Sequence, residues 1–137
     1  RIIAVKLERN FTKDEIISYY LNTVSFGENV FGIRNAARTF FQKEPIDLTV
    51  DESAVLIGIL KANTSYNPRR FPEASRNRRN VVIDQMVRNN FVSATEAEKL
   101  KSKPLGLNYK KIEYSDGLAP HFRESTLKDE VKRLLKD

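Results

Sequence analysis

Lys13-Asp14-Glu15-Ile16-Ile17-Ser18-Tyr19-Tyr20-Leu21-Asn22-Thr23-Val24-Ser25-Phe26-Gly27 is the stretch that decides how this 137-residue chain is read. Thr12 precedes it as an N-cap with Glu15 three residues on, the spacing at which each side chain bonds the other's backbone N–H. Ile16, Ile17, Tyr20 and Leu21 recur at helical spacing and form one apolar face. Propensity accounts for that helix but does not call for Asn22 and Gly27 at fixed distances behind it. Upstream, residues 2–8 read as the end of a helix with no cap before them, so the chain is expected to be a piece of something larger.

Downstream, Gly27 and Gly32 bracket a loop, and a helix is expected from Ile33 to Phe41, its Ala36 and Ala37 allowing close packing. Pro45 interrupts the chain. Thr49 with Glu52 repeats the capping spacing before a strongly apolar helix, Val50 to about Ala62, expected at the centre of the core. Asn63 to Pro68 is turn chemistry, and Pro72 can open a helix reaching about Asn89, with Val82, Ile83, Met86 and Val87 on one side. Ser93 and Glu96 make a third capping pair for a short helix to about Lys101. After Pro104 the helical period stops, and Lys110 to Tyr114 could be extended. A charged amphipathic segment follows from about Pro120 to Lys136, with Phe122, Leu127, Val131, Leu134 and Leu135 as candidate contacts. It reads as a tail helix whose partner surface lies outside the chain. The class is mostly α.

Hydrophobic residues at 40% and charged residues at 31% are ordinary globular usage, which argues against wholesale disorder. No apolar run approaches the roughly 20 residues a bilayer span needs. The chain has no cysteine, hence neither disulfides nor thiolate metal sites, and one histidine, His121, which makes a histidine-based metal site or Ser-His-Asp chemistry improbable. Most of the net charge of +6 is concentrated between Lys61 and Arg88, where seven lysines or arginines face only Glu73 and Asp84. Guanidinium forks at such density suit a phosphate-bearing partner.

The pattern Lys13-x-x-Ile16-x-x-x-Tyr20-x-Asn22, closing with Phe26-Gly27, resembles the fourth motif of the peptidoglycan glycosyltransferase family, the transglycosylase domains of class A penicillin-binding proteins and their monofunctional relatives. Arg78-Arg79-Asn80-Val81-Val82-Ile83-Asp84-Gln85-Met86 resembles the fifth motif. Between them Glu52, Ala54, Leu56, Gly58, Tyr66, Asn67 and Pro68 stand in matching places, and Ala4 and Glu8 fit the end of the third motif. The likeness covers about residues 1–105 and implies a lysozyme-like helical fold, with residues 106–137 a linker and tail helix leading towards a further domain. It implies an enzyme that polymerises lipid II into glycan strands, inverting the anomeric carbon and releasing undecaprenyl pyrophosphate. The family's catalytic glutamates are then expected upstream of Arg1, and this chain alone is expected to be inactive.

The same resemblance assigns the site residues. Lys13, Arg78 and Arg79 are the expected substrate-binding cations, the arginines' rival role being a salt bridge to Asp51 or Glu52. Tyr20, Asn22, Gly27, Glu52, Tyr66, Asn67 and Met86 are expected to be architectural: Tyr20 on the packing face, Asn22 satisfying backbone at the helix end, Gly27 supplying an unusual backbone angle. Tyr19, Phe40, Phe41, Tyr66 and Phe71 read as core or loop anchors. Ser25 departs from the family, which often has an aromatic there. No cofactor is expected in this piece, with a divalent cation left open for the full enzyme. The implied partners are lipid II, the growing glycan strand, the membrane surface and a downstream transpeptidase domain, at the extracytoplasmic face of a bacterial cytoplasmic membrane. Nucleic acid is not expected on this reading. The alternative is a helical nucleic-acid-binding module using the Arg69–Arg88 patch, whose binding would fall steeply with salt. A third reading is an interaction surface in which the tail helix docks a partner.

Overall fold

The computed structural model describes residues 12–112. The expected helix over residues 2–8, the tail helix over 120–136 and His121 lie outside the described residues. Five α-helices and one short 3-10 turn make up the described chain: α1 Lys13–Thr23, α2 Ile33–Phe41, the turn Pro45–Asp47, α3 Val50–Ile59, α4 Pro72–Arg88 and α5 Ala94–Ser102. Extended pairing among the described residues is confined to an isolated antiparallel bridge between Ser25 and Phe31.

Each helix begins where its local chemistry directs. Glu15 N–H donates to the Thr12 hydroxyl at 3.1 Å and Thr12 N–H to the Glu15 carboxylate at 3.0 Å, which completes both arms of the first cap. At α3 the Glu52 carboxylate accepts from Thr49 N–H at 2.9 Å, while the Thr49 hydroxyl donates to Asp51. Ser93 caps α5 through its side chain, accepting from Glu96 N–H. The apolar helix α3 ends at Ile59, three residues short of expectation. There Leu60, Lys61 and Ala62 N–H groups bond the carbonyls of Ile57, Gly58 and Ile59, a tightening into i→i+3 geometry.

Ile16 and Tyr20 of α1, Ala36, Ala37, Phe40 and Phe41 of α2, and Val55, Leu56 and Ile59 of α3 bury together with Val24, Phe26 and Val30 of the intervening loop. A second cluster joins Ala54 to Val82 and Ile83 of α4 and to Ala97 and Leu100 of α5, with Met86 packed on it. Helix α3 supplies residues to both, which makes it the shared wall. Two expected anchors are not buried: Tyr19 is 64% and Phe71 45% exposed. Tyr19 falls off the stripe defined by Ile16 and Tyr20, while Phe71 forms the N-cap of α4 and lies against the Arg70 guanidinium.

The segment after Pro104 stays on this core. Leu105, Leu107 and Tyr109 pack against the first cluster. Asn108 N–H donates to Phe40 O at 2.9 Å and Lys110 N–H to Thr39 O at 2.8 Å, using carbonyls that the end of α2 leaves without helical partners. Packing on this core and bonding to α2 continue as far as Lys110. No described helix is long and apolar enough to cross a membrane.

Candidate functional site

The decisive stretch folds into a junction of α1, the 24–32 loop and the N-terminus of α2. Helix α1 stops because Val24 takes an extended conformation while its N–H bonds Tyr20 O at 2.8 Å. The Thr23 hydroxyl donates to Tyr19 O at 2.9 Å, so Thr23 satisfies the helix end. The Asn22 amide, expected in that role, makes no such bond; the Asn22 backbone carbonyl instead sits against Gly32. Gly27 at φ 85° and Gly32 at φ 84° turn the loop, with Glu28 and Asn29 between them also at positive φ. A β-carbon on Gly27 would stand 3.2 Å from Asn63 O. Ser25, the departure from the family pattern, accepts from Gly27 N–H at 3.2 Å and thereby braces the turn. Lys13 stands exposed in the first turn of α1, and Tyr20 is buried on its packing face.

A second tier locks this loop to the rest of the domain. Asn67 is 2% exposed, and its side-chain oxygen accepts from Arg69 N–H at 2.9 Å and from Arg70 N–H at 3.3 Å. That side-chain turn aims the Arg69 guanidinium at the Glu28 carboxylate, which it meets through both Nε and a terminal nitrogen. The same guanidinium lies 5.0 Å from the Tyr109 ring centroid, and Tyr109 packs on Phe40. The Arg69 hydrogen bond holds Glu28 below the ordinary carboxylate range and correspondingly raises Arg69. Neither Glu28 nor Tyr109 was singled out from sequence, because their meeting with Arg69 spans 41 and 40 residues and leaves no local signature. Tyr66 is half-buried in the same turn, its N–H bonded to Ala62 O.

The paired arginines separate. Arg79 is fully buried, donating through Nη1 to Pro104 O at 3.2 Å, through Nη2 to Lys101 O at 3.1 Å and through Nε to Asn80 at 3.0 Å. Burial pulls its pKa down, the neighbouring Arg76 adding in the same direction. The structure thus places this guanidinium, expected to bind substrate, inside the turn that follows α5. Of the two carboxylates considered as salt-bridge partners, Glu52 takes Lys43 Nζ on both oxygens, at 2.9 and 3.1 Å, and Asp51 lies 3.9 Å from Lys103 Nζ. Arg78 is the arginine left half-exposed. Its stem crosses Gly58 of α3, where an added β-carbon would lie 3.1 Å from Arg78 Cγ, and its Nε is buried without a hydrogen-bond partner.

Arg79 is inside, Arg69 is held by Glu28, and Arg76 reaches the Lys101 and Ser102 carbonyls. Of the Lys61–Arg88 excess, Lys61, Arg70 and Arg88 remain exposed and Arg78 half-exposed. Among the described residues no three His, Cys, Asp or Glu side chains come together to hold a metal ion.

Residues 1–87 match the family model described as Transglycosylase. Over 110 residues the chain is 42% identical to penicillin-binding protein 1F of Bacillus subtilis, an alignment covering 80% of this chain and 15% of that protein. It is 34% identical over 116 residues to penicillin-binding protein 1A of Aquifex aeolicus, covering 84% of this chain and 16% of the relative. The chain thus spans less than a fifth of the length of these relatives. The crystal structure of penicillin-binding protein 1A from Haemophilus influenzae superposes with a TM-score of 0.68 at 31% identity, covering 87% of this chain and 18% of that one. The helical junction around Asn22, Gly27 and Gly32 is accordingly part of a lysozyme-like glycosyltransferase fold, and the chain belongs to the transglycosylase family.

Proposed function

We propose that this chain is part of a peptidoglycan glycosyltransferase of the class A penicillin-binding type, which polymerises lipid II at the extracytoplasmic membrane surface. The match of residues 1–87 to the transglycosylase family carries this reading. In the proposed step a carboxylate takes the proton from the 4-hydroxyl of one lipid-linked disaccharide. That oxygen bonds to the anomeric carbon of the growing strand with inversion, and the bond to undecaprenyl pyrophosphate breaks, the leaving diphosphate keeping its electron pair.

A departing diphosphate is stabilised by cations fixed before the reaction begins. Arg78 suits that role, because packing against Gly58 fixes its stem while the side chain remains half-exposed. Lys13 is the second proposed cation, at the exposed start of α1. The buried or half-buried carboxylates of Glu28, Asp51 and Glu52 are already bonded to Arg69, Thr49 and Lys43, which supports placing the base in the expected upstream glutamates. A downstream transpeptidase domain completes the proposed parent protein.

The test is polymerisation of lipid II by the parent protein. Arg78→Ala is expected to lower turnover by about 10²-fold, the scale for losing one group that stabilises developing charge. A parent enzyme that makes no glycan strand, or one indifferent to Arg78→Ala and Lys13→Ala together, overturns the assignment.

A further inference from the structure

Gly58 of α3 lies against the stem of Arg78, a β-carbon there standing 3.1 Å from Arg78 Cγ. Where α3 gives way to i→i+3 geometry, Lys61 N–H donates to Gly58 O at 3.2 Å. Residues three apart in that geometry lie one above the other. Lys61 therefore leaves the backbone one turn beyond Gly58, on the side of α3 that Arg78 crosses. Neighbouring β-carbons on such a turn are about 5–6 Å apart, a gap that side chains as long as lysine and arginine bridge.

Neither cation has an acid beside it. Lys61 is exposed and Arg78 half-exposed, and neither forms an ion pair among the described residues. No Asp or Glu occurs from Ser53 to Pro72. On α4, Glu73 and Asp84 lie about 140° and 120° around the helix from Arg78, at 3.6 residues per turn. Asp84 is in any case bonded to Lys101, and on α3 Asp51 and Glu52 already accept from Thr49 and Lys43. Arg38, Lys43, Arg69 and Lys101, by contrast, each meet a carboxylate. Two like charges held together without a counter-ion repel, and an oxyanion between them replaces that repulsion with two attractions.

We propose that Lys61 and Arg78 form a two-cation site for the diphosphate of a lipid-linked sugar, which makes Lys61 a further substrate-binding residue. The identity of the ligand rests on the glycosyltransferase reading; the pairing of the cations does not. A compact ammonium from one helix and a planar guanidinium from the next suit a ligand that offers two phosphate groups. The absence of a side chain at Gly58 lets the Arg78 stem lie close enough to share that ligand. Lys61 also stands at the carbonyl end of α3, where a cation is favourable in itself. That contribution belongs to stability, so the test reads binding.

The full 137-residue chain is titrated with inorganic pyrophosphate at fixed ionic strength, and amide NMR shifts are followed at Gly58, Lys61 and Arg78. Saturable binding is expected, weakened about tenfold by Lys61→Gln and by Arg78→Gln and largely kept by Lys61→Arg. Arg88→Gln removes an equal charge about 15 Å along α4 from Arg78, beyond the screening length, and should leave the affinity unchanged. No saturable shift, equal weakening by Arg88→Gln, or inorganic phosphate bound as tightly as pyrophosphate would each overturn the site. Lipid II turnover by the parent protein separates the two readings. Pyrophosphate binding in a parent that makes no glycan strand would retain the site and overturn the catalytic assignment. Polymerisation indifferent to Lys61→Gln would retain the assignment and overturn the site.

Discussion

The backbone carbonyl oxygen of Asn22 lies 2.3 Å from the point where a β-carbon on Gly32 would sit. The end of α1 and the start of α2 thus touch through backbone, at a φ of 84° that side-chain-bearing residues rarely adopt. Gly32→Ala meets both penalties at once, a clash with backbone and a strained dihedral. A loss of about 3 kcal/mol or more in unfolding free energy is expected, read from urea denaturation. Gly106→Ala is the informative contrast: it shares a positive φ of 66° but has nothing within 4 Å, so only the smaller conformational penalty applies.

Arg79 provides a second stability prediction. Removing its guanidinium leaves the Lys101 and Pro104 carbonyls without their donor, and Arg79→Ala should cost about 3 kcal/mol. Arg79→Lys recovers little of this, because one ammonium cannot reproduce a fork spanning two carbonyls and Asn80. Thermal unfolding of both variants beside Arg78→Ala checks the separation, since the half-exposed Arg78 should lower the midpoint far less. Equal losses for Arg78→Ala and Arg79→Ala would show that the two arginines are not divided between core and surface.

These arginines also show what the sequence carries and what it does not. Capping pairs at Thr12 and Ser93, proline starts and 3.6-residue periodicity are local, so helix positions were legible within a few residues. Which of two adjacent arginines turns inward depends on carbonyls 22 to 25 residues away, at Lys101 and Pro104. The stretch after Pro104 follows the same rule. The aperiodic stretch after Pro104 looks unattached by pattern, yet its N–H groups complete the end of α2, a partner no spacing rule could name.

Glu28 gives a pH dependence of definite sign. Its carboxyl is held below the ordinary value of 4.5 by the Arg69 hydrogen bond, so the folded state binds its proton less readily than the unfolded chain does. The contribution is therefore complete above the unfolded value and fades as pH falls from about 4.5 through the folded value. Glu28→Gln should flatten that part of the acid-unfolding profile while leaving stability near pH 7 only modestly reduced, because Arg69 is half-exposed and solvent screens the pair. An unchanged acid limb in Glu28→Gln would mean that the pair does not persist in solution.

Glu52 serves two partners, and two substitutions separate them. Glu52→Gln keeps an oxygen for Thr49 N–H but gives up the charge that meets Lys43, whereas Glu52→Ala gives up both. The first should cost about 1 kcal/mol and the second about 2 kcal/mol, since loss of the capping acceptor for Thr49 N–H adds to the lost charge. Lys43→Met distinguishes the contributions further. If the ion pair dominates, Lys43→Met should match Glu52→Gln in chemical denaturation, and a neutral Lys43→Met would assign the larger share to the cap.

Gly58 tests whether Arg78 is held for a purpose beyond packing. Gly58→Ala places a β-carbon 3.1 Å from Arg78 Cγ and 3.7 Å from Arg79 N, without a backbone penalty, because Gly58 is an ordinary helical residue. Helix propensity favours alanine by up to about 1 kcal/mol, and the flexible Arg78 stem can yield a few tenths of an ångström. Stability should consequently change by less than about 1 kcal/mol in either direction. Lipid II turnover by the parent protein should nonetheless fall severalfold, because the guanidinium is displaced from its fixed position. A variant with native stability and native turnover would leave Arg78 as a surface cation with no part in the reaction, while a fall in turnover at native stability would place Gly58 among the residues that position it.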